Sequence, residues 1–212
     1  MKSLFFASAI LVAGIALQNN AALAASSERS VAAPKAFYEF CNKHPNQCQV
    51  SGKVGPAMPM DRGRWKQLRS VNRQVNRSVR EVTDKASWGK ADVWSIVSPG
   101  QSGDCEDFAL TKRKQLIAMG WSSSVLLVSV VRTRRGEGHA VLTVRTSDGY
   151  LVLDNKTPFI RKARSTGYRF FTMQSPDNPR SWIRVPLKGP ALKTVAAKAK
   201  MRRQNNRTAM LR

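Results

Sequence analysis

The chain has 212 residues and carries 36 Lys and Arg against 13 Asp and Glu, a formal net charge of +23 at pH 7. It has no internal repeats, which excludes solenoid and repeat-array folds. So large a charge favours acidic surfaces such as anionic lipid or lipopolysaccharide as partners. Nucleic acid is not specifically indicated, and a well-solvated exported protein is the equal alternative.

The N-terminus has the pattern of a cleavable signal peptide, residues 1–24. Lys2 precedes an apolar run over residues 4–17, which is too short for a comfortable membrane span, and residues 22–24 form an A-x-A cleavage site. We expect cleavage after Ala24 and a periplasmic or secreted protein, with an uncleaved anchor as the alternative. The rest suits one compact domain, residues 25–187, followed by a basic tail.

The three cysteines fit an oxidising compartment. Cys41 and Cys48 flank a short polar loop, and we expect them to form a disulfide that contributes about 2–3 kcal/mol through loop entropy. The competing hypothesis is a metal site of Cys41, Cys48 and His44, which lacks a clear fourth ligand. With the disulfide formed, Cys105 keeps a free thiol.

Residues 62–82 are predicted to form an amphipathic helix, because apolar side chains recur every three or four positions. These are Trp65, Leu68, Val71, Val75, Val79 and Val82. We expect this face to pack into the core and the basic face to be solvated, with anion binding as the alternative. The following connection holds Trp94 and Gln101, either of which could help to hold an oxyanion. Of the two, Trp94 is expected to be a structural residue of the cleft wall.

A helix is predicted to begin at Cys105. Asp104 can cap its N-terminus and Asp107 can complete a capping box. Cys105 then lies in the first turn, where free backbone N–H groups and the helix dipole favour a thiolate. Gly120 is a suitable stop for this helix. A lone cysteine at a helix start is a weak indication of function, because most free cysteines are small buried hydrophobes.

The chain beyond this helix is predicted to form strands. A run of β-branched residues predicts a central strand over 123–132, and shorter strands are expected at 168–171 and 181–185. Between them lies a hairpin with His139 at the start of its first strand and Asp154 at the end of its second. A cysteine, a histidine and an aspartate can serve as thiol nucleophile, general base and the group that orients the base.

The register of this hairpin decides whether the histidine and the aspartate meet. A four-residue loop over 146–149 pairs Arg145 with Tyr150. His139 and Asp154 are then diagonal neighbours, roughly 7–8 Å apart at the backbone and within side-chain reach. A two-residue turn would leave them too far apart. The triad hypothesis therefore predicts the longer loop.

Three motifs resemble those of the bacterial transglutaminase-like cysteine peptidase family, the LapG-like proteases. The resemblance extends over residues 35–185. The resemblance implies an α+β, papain/transglutaminase-like fold, in which the helix bearing the cysteine packs on an antiparallel sheet bearing the histidine and the aspartate. It assigns the nucleophile to Cys105, the base to His139 and the orienting acid to Asp154. The motifs are G-D-C-E-D-F-A at 103–109, G-H-A-V-L at 138–142 and V-L-D-N at 152–155.

Three acids, Asp104, Glu106 and Asp107, surround the cysteine, and their charge should oppose thiolate formation. Protonated His139 or a bound cation can offset it, and hard carboxylate oxygens suit Ca²⁺. The resemblance implies that Asp104 and Glu106 bind a calcium ion that activity requires. The alternative is that these acids cap the helix and pair with Arg or Lys.

We therefore expect an exported cysteine peptidase that hydrolyses a protein substrate through an acyl-enzyme. Acyl transfer to an amine would use the same three residues, and a cationic periplasmic or surface binding module without turnover is the alternative from another class. LapG-like members release surface adhesins, so the resemblance suggests a cell-surface substrate. The tail, residues 188–212, has eight Lys and Arg and no acid. It is expected to be flexible and either to bind an anionic surface or to be solvated.

Overall fold

The structure is a computed structural model that describes residues 30–55, 57–89 and 92–185. The helices of this range are α1 Lys35–Lys43, α2 Arg62–Ser78, α3 Asp84–Trp88 and α4 Cys105–Ala118. Its strands are β1 Ser30–Val31, β2 Arg80–Glu81, β3 Ser102–Gly103, β4 Leu126–Arg132, β5 Gly138–Thr146, β6 Gly149–Leu153, β7 Arg161–Lys162, β8 Arg169–Gln174 and β9 Trp182–Arg184. None of the described helices has the length and apolar character that a membrane span needs. The predicted signal peptide and basic tail lie outside the described residues.

Seven of these strands form one antiparallel sheet in the order β1-β9-β8-β4-β5-β6-β7. The predicted central strand is confirmed in position, since β4 pairs with β5 on one side and with β8 on the other. Its predicted start at residue 123 was wrong, because Ser123–Val125 form a 3₁₀ turn before the strand begins at Leu126. Both faces of β4 are apolar. Leu126 and Val128 belong to one buried cluster, and Leu127 and Val131 belong to the other. A strand that buries both faces reads as a continuous apolar run, which is the pattern the sequence has.

The larger apolar cluster lies between the sheet and the helices. Phe108 and Leu116 of α4 join Leu126, Val128 and Leu142 of the sheet there. The cysteine helix thus packs on an antiparallel sheet, and the predicted α+β arrangement is confirmed. This packing sets the N-terminus of α4 beside the start of β5.

Helix α2 begins at the predicted residue and ends four residues early. Asp61 Oδ1 accepts a hydrogen bond from the Arg64 backbone N–H at 2.8 Å, an N-cap that the sequence analysis did not single out. The chain leaves the helix at Val79, and the N–H of Arg80 donates to the carbonyl of Gln101 as β2 pairs with β3. The prediction of helix to residue 82 was therefore wrong at its end. Pairing with a strand 22 residues further along replaces the last turn.

The predicted disulfide is confirmed. Cys41 and Cys48 are bonded, with Cα atoms 5.6 Å apart, and both are buried. The bond joins α1 to the short 3₁₀ turn Pro45–Cys48. Neither sulfur is then a free thiolate that could bind a metal ion, so the alternative metal site of Cys41, Cys48 and His44 is excluded. Cys105 is the free cysteine among the described residues.

Candidate active site

The thiol lies at the first residue of α4, and its position depends on the turn before it. The Asp107 carboxylate accepts hydrogen bonds from the backbone N–H of Asp104 at 3.3 Å and from that of Ser95 at 2.7 Å. A Cβ on Gly103 would lie 2.7 Å from Oδ2 of Asp107. Glycine is therefore required there, because the buried carboxylate already occupies the space of a side chain. The predicted capping box of Asp104 and Asp107 at the start of the helix is confirmed. Gly120, at φ +87°, follows the end of the helix as expected.

The hairpin has the register that the triad hypothesis requires. Arg145 pairs with Tyr150, and Leu142 pairs with Leu153. Thr146 also pairs with Gly149, so the prediction of a four-residue loop over 146–149 was wrong in length: both strands extend by one residue and leave a two-residue turn in the predicted register. His139 and Asp154 consequently meet, with Nε2 of the imidazole 2.9 Å from Oδ1 of the carboxylate. Both side chains are buried, with 1% and 4% of their surfaces exposed.

Cys105 Sγ lies next to the backbone of the histidine. It accepts a hydrogen bond from the Ala140 N–H at 3.3 Å and contacts Oε2 of Glu106 at 3.1 Å. Within residues 92–185 no hydrogen bond joins Sγ to the imidazole of His139. The thiol therefore lies against the backbone of the residue that follows His139, and its own hydrogen bond is directed toward the Glu106 carboxylate.

Three groups fix Asp154 in addition to the histidine. Tyr168 Oη donates to Oδ2 at 2.7 Å, and the Lys156 N–H donates to Oδ1 at 3.0 Å. Asn76 donates from Nδ2 to the backbone carbonyl of Asp154 at 2.8 Å, and the Tyr168 ring packs edge-on against His139. Burial alone would raise the pKa of Asp154, but the hydrogen bonds and the His139 charge outweigh it and hold the pKa below its usual value.

Tyr168 was missed as a site residue by the sequence analysis, which placed it only in a strand. It comes 14 residues after Asp154 in the chain. The segment between β6 and β8 folds back along β6 through β7, and this path brings the Tyr168 hydroxyl to the Asp154 carboxylate. No local pattern in the sequence marks such a contact.

The acids near the thiol form a larger cluster than the sequence predicted. Ligand oxygens of Asp84, Asp92 and Glu106 lie within 4.8 Å of one another, and so do those of Asp84, Asp104 and Asp107. Asp104 Oδ1 is buried and has no hydrogen-bond partner in the part of the chain that the structure describes. The sequence analysis missed Asp84 and Asp92, because they lie on the segment before β3, far from the cysteine in the chain.

Ionising all the carboxyl groups of this cluster is unfavourable, because they are buried close to one another. Burial raises the pKa of Glu106 to about 9, and its interaction with the nearby Asp104 carboxylate adds to the effect. Burial also raises the pKa of Asp107 to about 7 and raises that of Asp84. The pKa of the Cys105 thiol is raised as well, first by burial and then by the charge and hydrogen bond of Glu106. The carboxylates therefore oppose the thiolate unless their charge is offset.

Neither side chain proposed as an oxyanion donor contacts the thiol. Gln101 is exposed, and its Oε1 accepts a hydrogen bond from the Ser98 N–H at 2.7 Å. Trp94 packs edge-on against Phe37 and Trp182, and its Nε1 donates to Asp92 at 2.8 Å. Trp94 is thus a core residue that also orients an acid of the cluster.

A buried lysine lies on the cysteine helix, two turns beyond the thiol. Lys112 has no exposed surface, and its Nζ has no hydrogen-bond partner among the described residues. Its ammonium lies 5.7 Å from the centre of the Phe108 ring. Burial lowers the pKa of Lys112 to about 7, although the charge of Asp154 acts in the opposite direction.

Comparison with known proteins assigns the family. The family model of the bacterial transglutaminase-like cysteine proteinases (BTLCP) matches residues 27–189. Three solved structures of LapG from Legionella pneumophila are similar. One has 24% identity and a TM-score of 0.48, and the match covers 80% of this chain and 87% of that chain. A calcium-bound form has 22% identity and a TM-score of 0.48, with 83% and 96% covered.

The EGTA-treated form has 21% identity and a TM-score of 0.47, with 78% and 88% of the two chains covered. No curated protein matches the chain. The family match spans the whole described range and contains the cysteine helix and the hairpin. The chain therefore belongs to the bacterial transglutaminase-like cysteine proteinase family, has the transglutaminase-like fold and is a cysteine peptidase.

Proposed function

We propose that the protein is an exported peptidase that hydrolyses a protein substrate with Cys105 as nucleophile, His139 as general base and Asp154 as the orienting acid. The observation that supports this most strongly is the buried 2.9 Å hydrogen bond between His139 and Asp154 beside a free thiol at a helix N-terminus. The carboxylate engages Nε2, so the Nε2–H tautomer leaves Nδ1 to take the proton of the thiol. The thiol turns away from Glu106 to reach it.

The proposed reaction has two halves. Sγ attacks the peptide carbonyl while its proton passes to His139, and the proton then goes to the leaving amine as the C–N bond breaks. Water, deprotonated by the same imidazole, attacks the thioester and releases the acid product and the thiol. The backbone N–H of Cys105 and the positive end of α4 face the developing oxyanion.

We further propose that this activity uses Ca²⁺, held by Asp104 and Glu106 with Asp84 and Asp92 as additional ligands. The residues fit the ion, because ligand oxygens of Asp84, Asp92 and Glu106 lie within 4.8 Å of one another and an oxygen of Asp104 lies within the same distance of Glu106. The buried Asp104 Oδ1 also has no hydrogen-bond partner among the described residues. LapG of Legionella pneumophila has been solved in a calcium-bound form. When bound, the cation would neutralise the carboxylates that raise the pKa of the thiol.

Export and the site of action are also proposals. A disulfide persists in oxidising compartments, so the Cys41–Cys48 bond supports a periplasmic or secreted protein. We propose cleavage after Ala24, a single peptidase domain over 25–187 and a basic tail over 188–212. A cell-surface protein is the proposed substrate.

Thiol labelling tests the catalytic assignment. The mature protein would be treated with iodoacetamide under non-reducing conditions, so that Cys105 is the one free thiol of the chain, and the labelling rate would be read by intact mass. We expect fast single labelling that is lost in Cys105→Ala and falls at least tenfold in His139→Ala.

The matched control for that experiment is His44→Ala, since the chain has two histidines. This control should keep the full labelling rate, and calcium should raise the rate in the parent protein. Equal slow labelling of the parent, His139→Ala and His44→Ala would mean an ordinary thiol, and the proposed function would be abandoned.

A further inference from the structure

Two arginines share one aromatic ring at the end of the sheet that carries the histidine. The guanidinium carbons of Arg132 and Arg169 lie 5.6 and 5.8 Å from the centre of the Phe171 ring. Arg132 on β4 and Arg169 on β8 are paired neighbours. The β4–β8 register shifts between Val130 and Val131, which leaves Phe171 as the extra residue of a β-bulge. Bulges of this kind re-aim side chains near active sites.

This arginine pair lies beside the candidate active site. Arg132 also pairs with Gly138, the residue before His139, and Arg169 follows Tyr168, which bonds to Asp154. By strand alternation Arg132 shares the face of Val130, which packs with the α4 cluster. Cross-strand spacing therefore places Arg132 roughly 10 Å from the thiol at the backbone, about three residues of extended peptide.

Neither arginine has a carboxylate partner in the described part of the chain, where the ion pairs are Arg64–Asp61 and His139–Asp154. The nearest acid along the chain, Glu137, contacts Thr133 instead, at 3.4 Å. Both arginines are exposed. Two like charges held against one ring without a counterion repel each other, and an anion between them removes that cost.

We infer that Arg132 and Arg169 form a specificity subsite for an Asp or Glu side chain of the substrate, within about three residues of the scissile bond. A guanidinium binds a carboxylate through two parallel N–H bonds, and a second guanidinium on the same ring completes a clamp. Stacking on Phe171 holds both cations in place before the substrate arrives. The inference rests on the proposed peptidase function and adds a preference for acidic substrates.

Peptidyl Michael acceptors test the subsite. Each probe would carry three residues on either side of the electrophile, with Glu or Gln at one of the six positions, and the rate of adduct formation at Cys105 would be measured by intact mass. We expect the Glu probe to react about tenfold faster than the Gln probe at one position, a ratio that falls toward one in 0.5 M NaCl. In Arg132→Gln/Arg169→Gln the ratio should be close to one.

The matched control is Arg69→Gln/Arg73→Gln, which removes the same charge from the exposed face of α2 and should keep the tenfold ratio. The subsite is overturned if Glu and Gln probes react at equal rates at every position in the parent protein. It is also overturned if no probe forms an adduct. An equal loss in both double variants also overturns it, since net charge would then explain the preference. Failure of the proposed function is distinguished by iodoacetamide labelling that does not depend on His139.

Discussion

At the scale of single residues, the orientation of His139, the proposed general base, depends on hydrogen bonds to Asp154. The carboxylate is held by His139, Tyr168 and the Lys156 N–H. A carboxylate with several donors stays ionised and keeps its direction, which in turn fixes the imidazole tautomer. Tyr168 supplies the shortest of these hydrogen bonds, at 2.7 Å, although it never touches the thiol in this structure.

Tyr168→Phe is therefore expected to slow iodoacetamide labelling of Cys105 roughly tenfold. It removes one hydrogen bond to a charged group, worth about 1.5 kcal/mol, and keeps the ring that packs on His139. The control is Tyr150→Phe. Tyr150 lies on β6, the strand that leads to Asp154, but its hydroxyl makes no hydrogen bond to Asp154. If both variants label at the parent rate, the Tyr168 hydroxyl has no part in positioning the base.

At the scale of elements, the site is built where β3 runs into α4. Short pairing of β2 with β3 directs the chain into the helix, and Asp107 closes the turn from inside. The Asp107 carboxylate cannot move away from an added side chain, because Ser95 donates to its Oδ1 through both N–H and hydroxyl. The turn and the thiol position are therefore coupled.

Gly103→Ala should lower the free energy of unfolding by about 1–3 kcal/mol, as overpacking of a filled site does, and should also reduce labelling of Cys105. Urea unfolding followed by circular dichroism measures the first effect. Gly55→Ala is the matched control, since a Cβ there meets nothing within 4 Å and the φ of this residue is not left-handed. A Gly103→Ala protein as stable as the control would show that the turn adapts freely.

At the scale of the whole molecule, charge is divided unevenly. Of the 13 acids in a chain of net charge +23, five lie in the cluster beside the thiol. The remaining surface is strongly basic, so an anionic substrate or surface is attracted to most of the protein. A divalent cation, in contrast, is attracted to the one place where carboxylates converge.

Metal-free protein should become less stable as the pH rises from 5 to 7. The folded state keeps protons on Glu106, whose pKa is about 9, and on Asp107, whose pKa is about 7, while unfolded carboxylates ionise near pH 4. The folded state thus binds more protons than the unfolded state, and the free energy of unfolding falls with rising pH. Lys112 acts in the opposite direction only as the pH approaches 7, because its pKa is about 7 when folded and higher when unfolded, and below that pH both states keep its proton.

Thermal unfolding at several pH values, with and without 1 mM CaCl₂, measures this effect. Calcium should raise Tm more at pH 7 than at pH 5, since protons compete for the same oxygens. Glu106→Gln should lose most of the calcium response, and Glu39→Gln, an exposed position on α1, should keep it. A calcium response that is absent in the parent protein would remove the metal proposal.

The sequence by itself determined the parts of this protein that follow from local chemistry. The Asp104–Asp107 helix start, the stop at Gly120 and the apolar run of β4 depend on neighbouring residues, and all three were predicted. The pairing of Arg145 with Tyr150 followed from the triad hypothesis and not from the turn residues, whose predicted loop was too long. The disulfide was predictable for the same reason, since it closes a short loop. Motif resemblance added the family, which the family model confirms.

Only the tertiary structure decided which distant side chains meet. The early end of α2, the hydrogen bond of Tyr168 to Asp154 and the arrival of Asp84 and Asp92 beside Glu106 all join residues that are far apart in the chain. The burial of Lys112 and the pairing of Arg132 with Arg169 across two strands are of the same kind. Polar side chains carry no periodic signal of their partners, so such contacts become visible only after the apolar core has fixed how the elements pack.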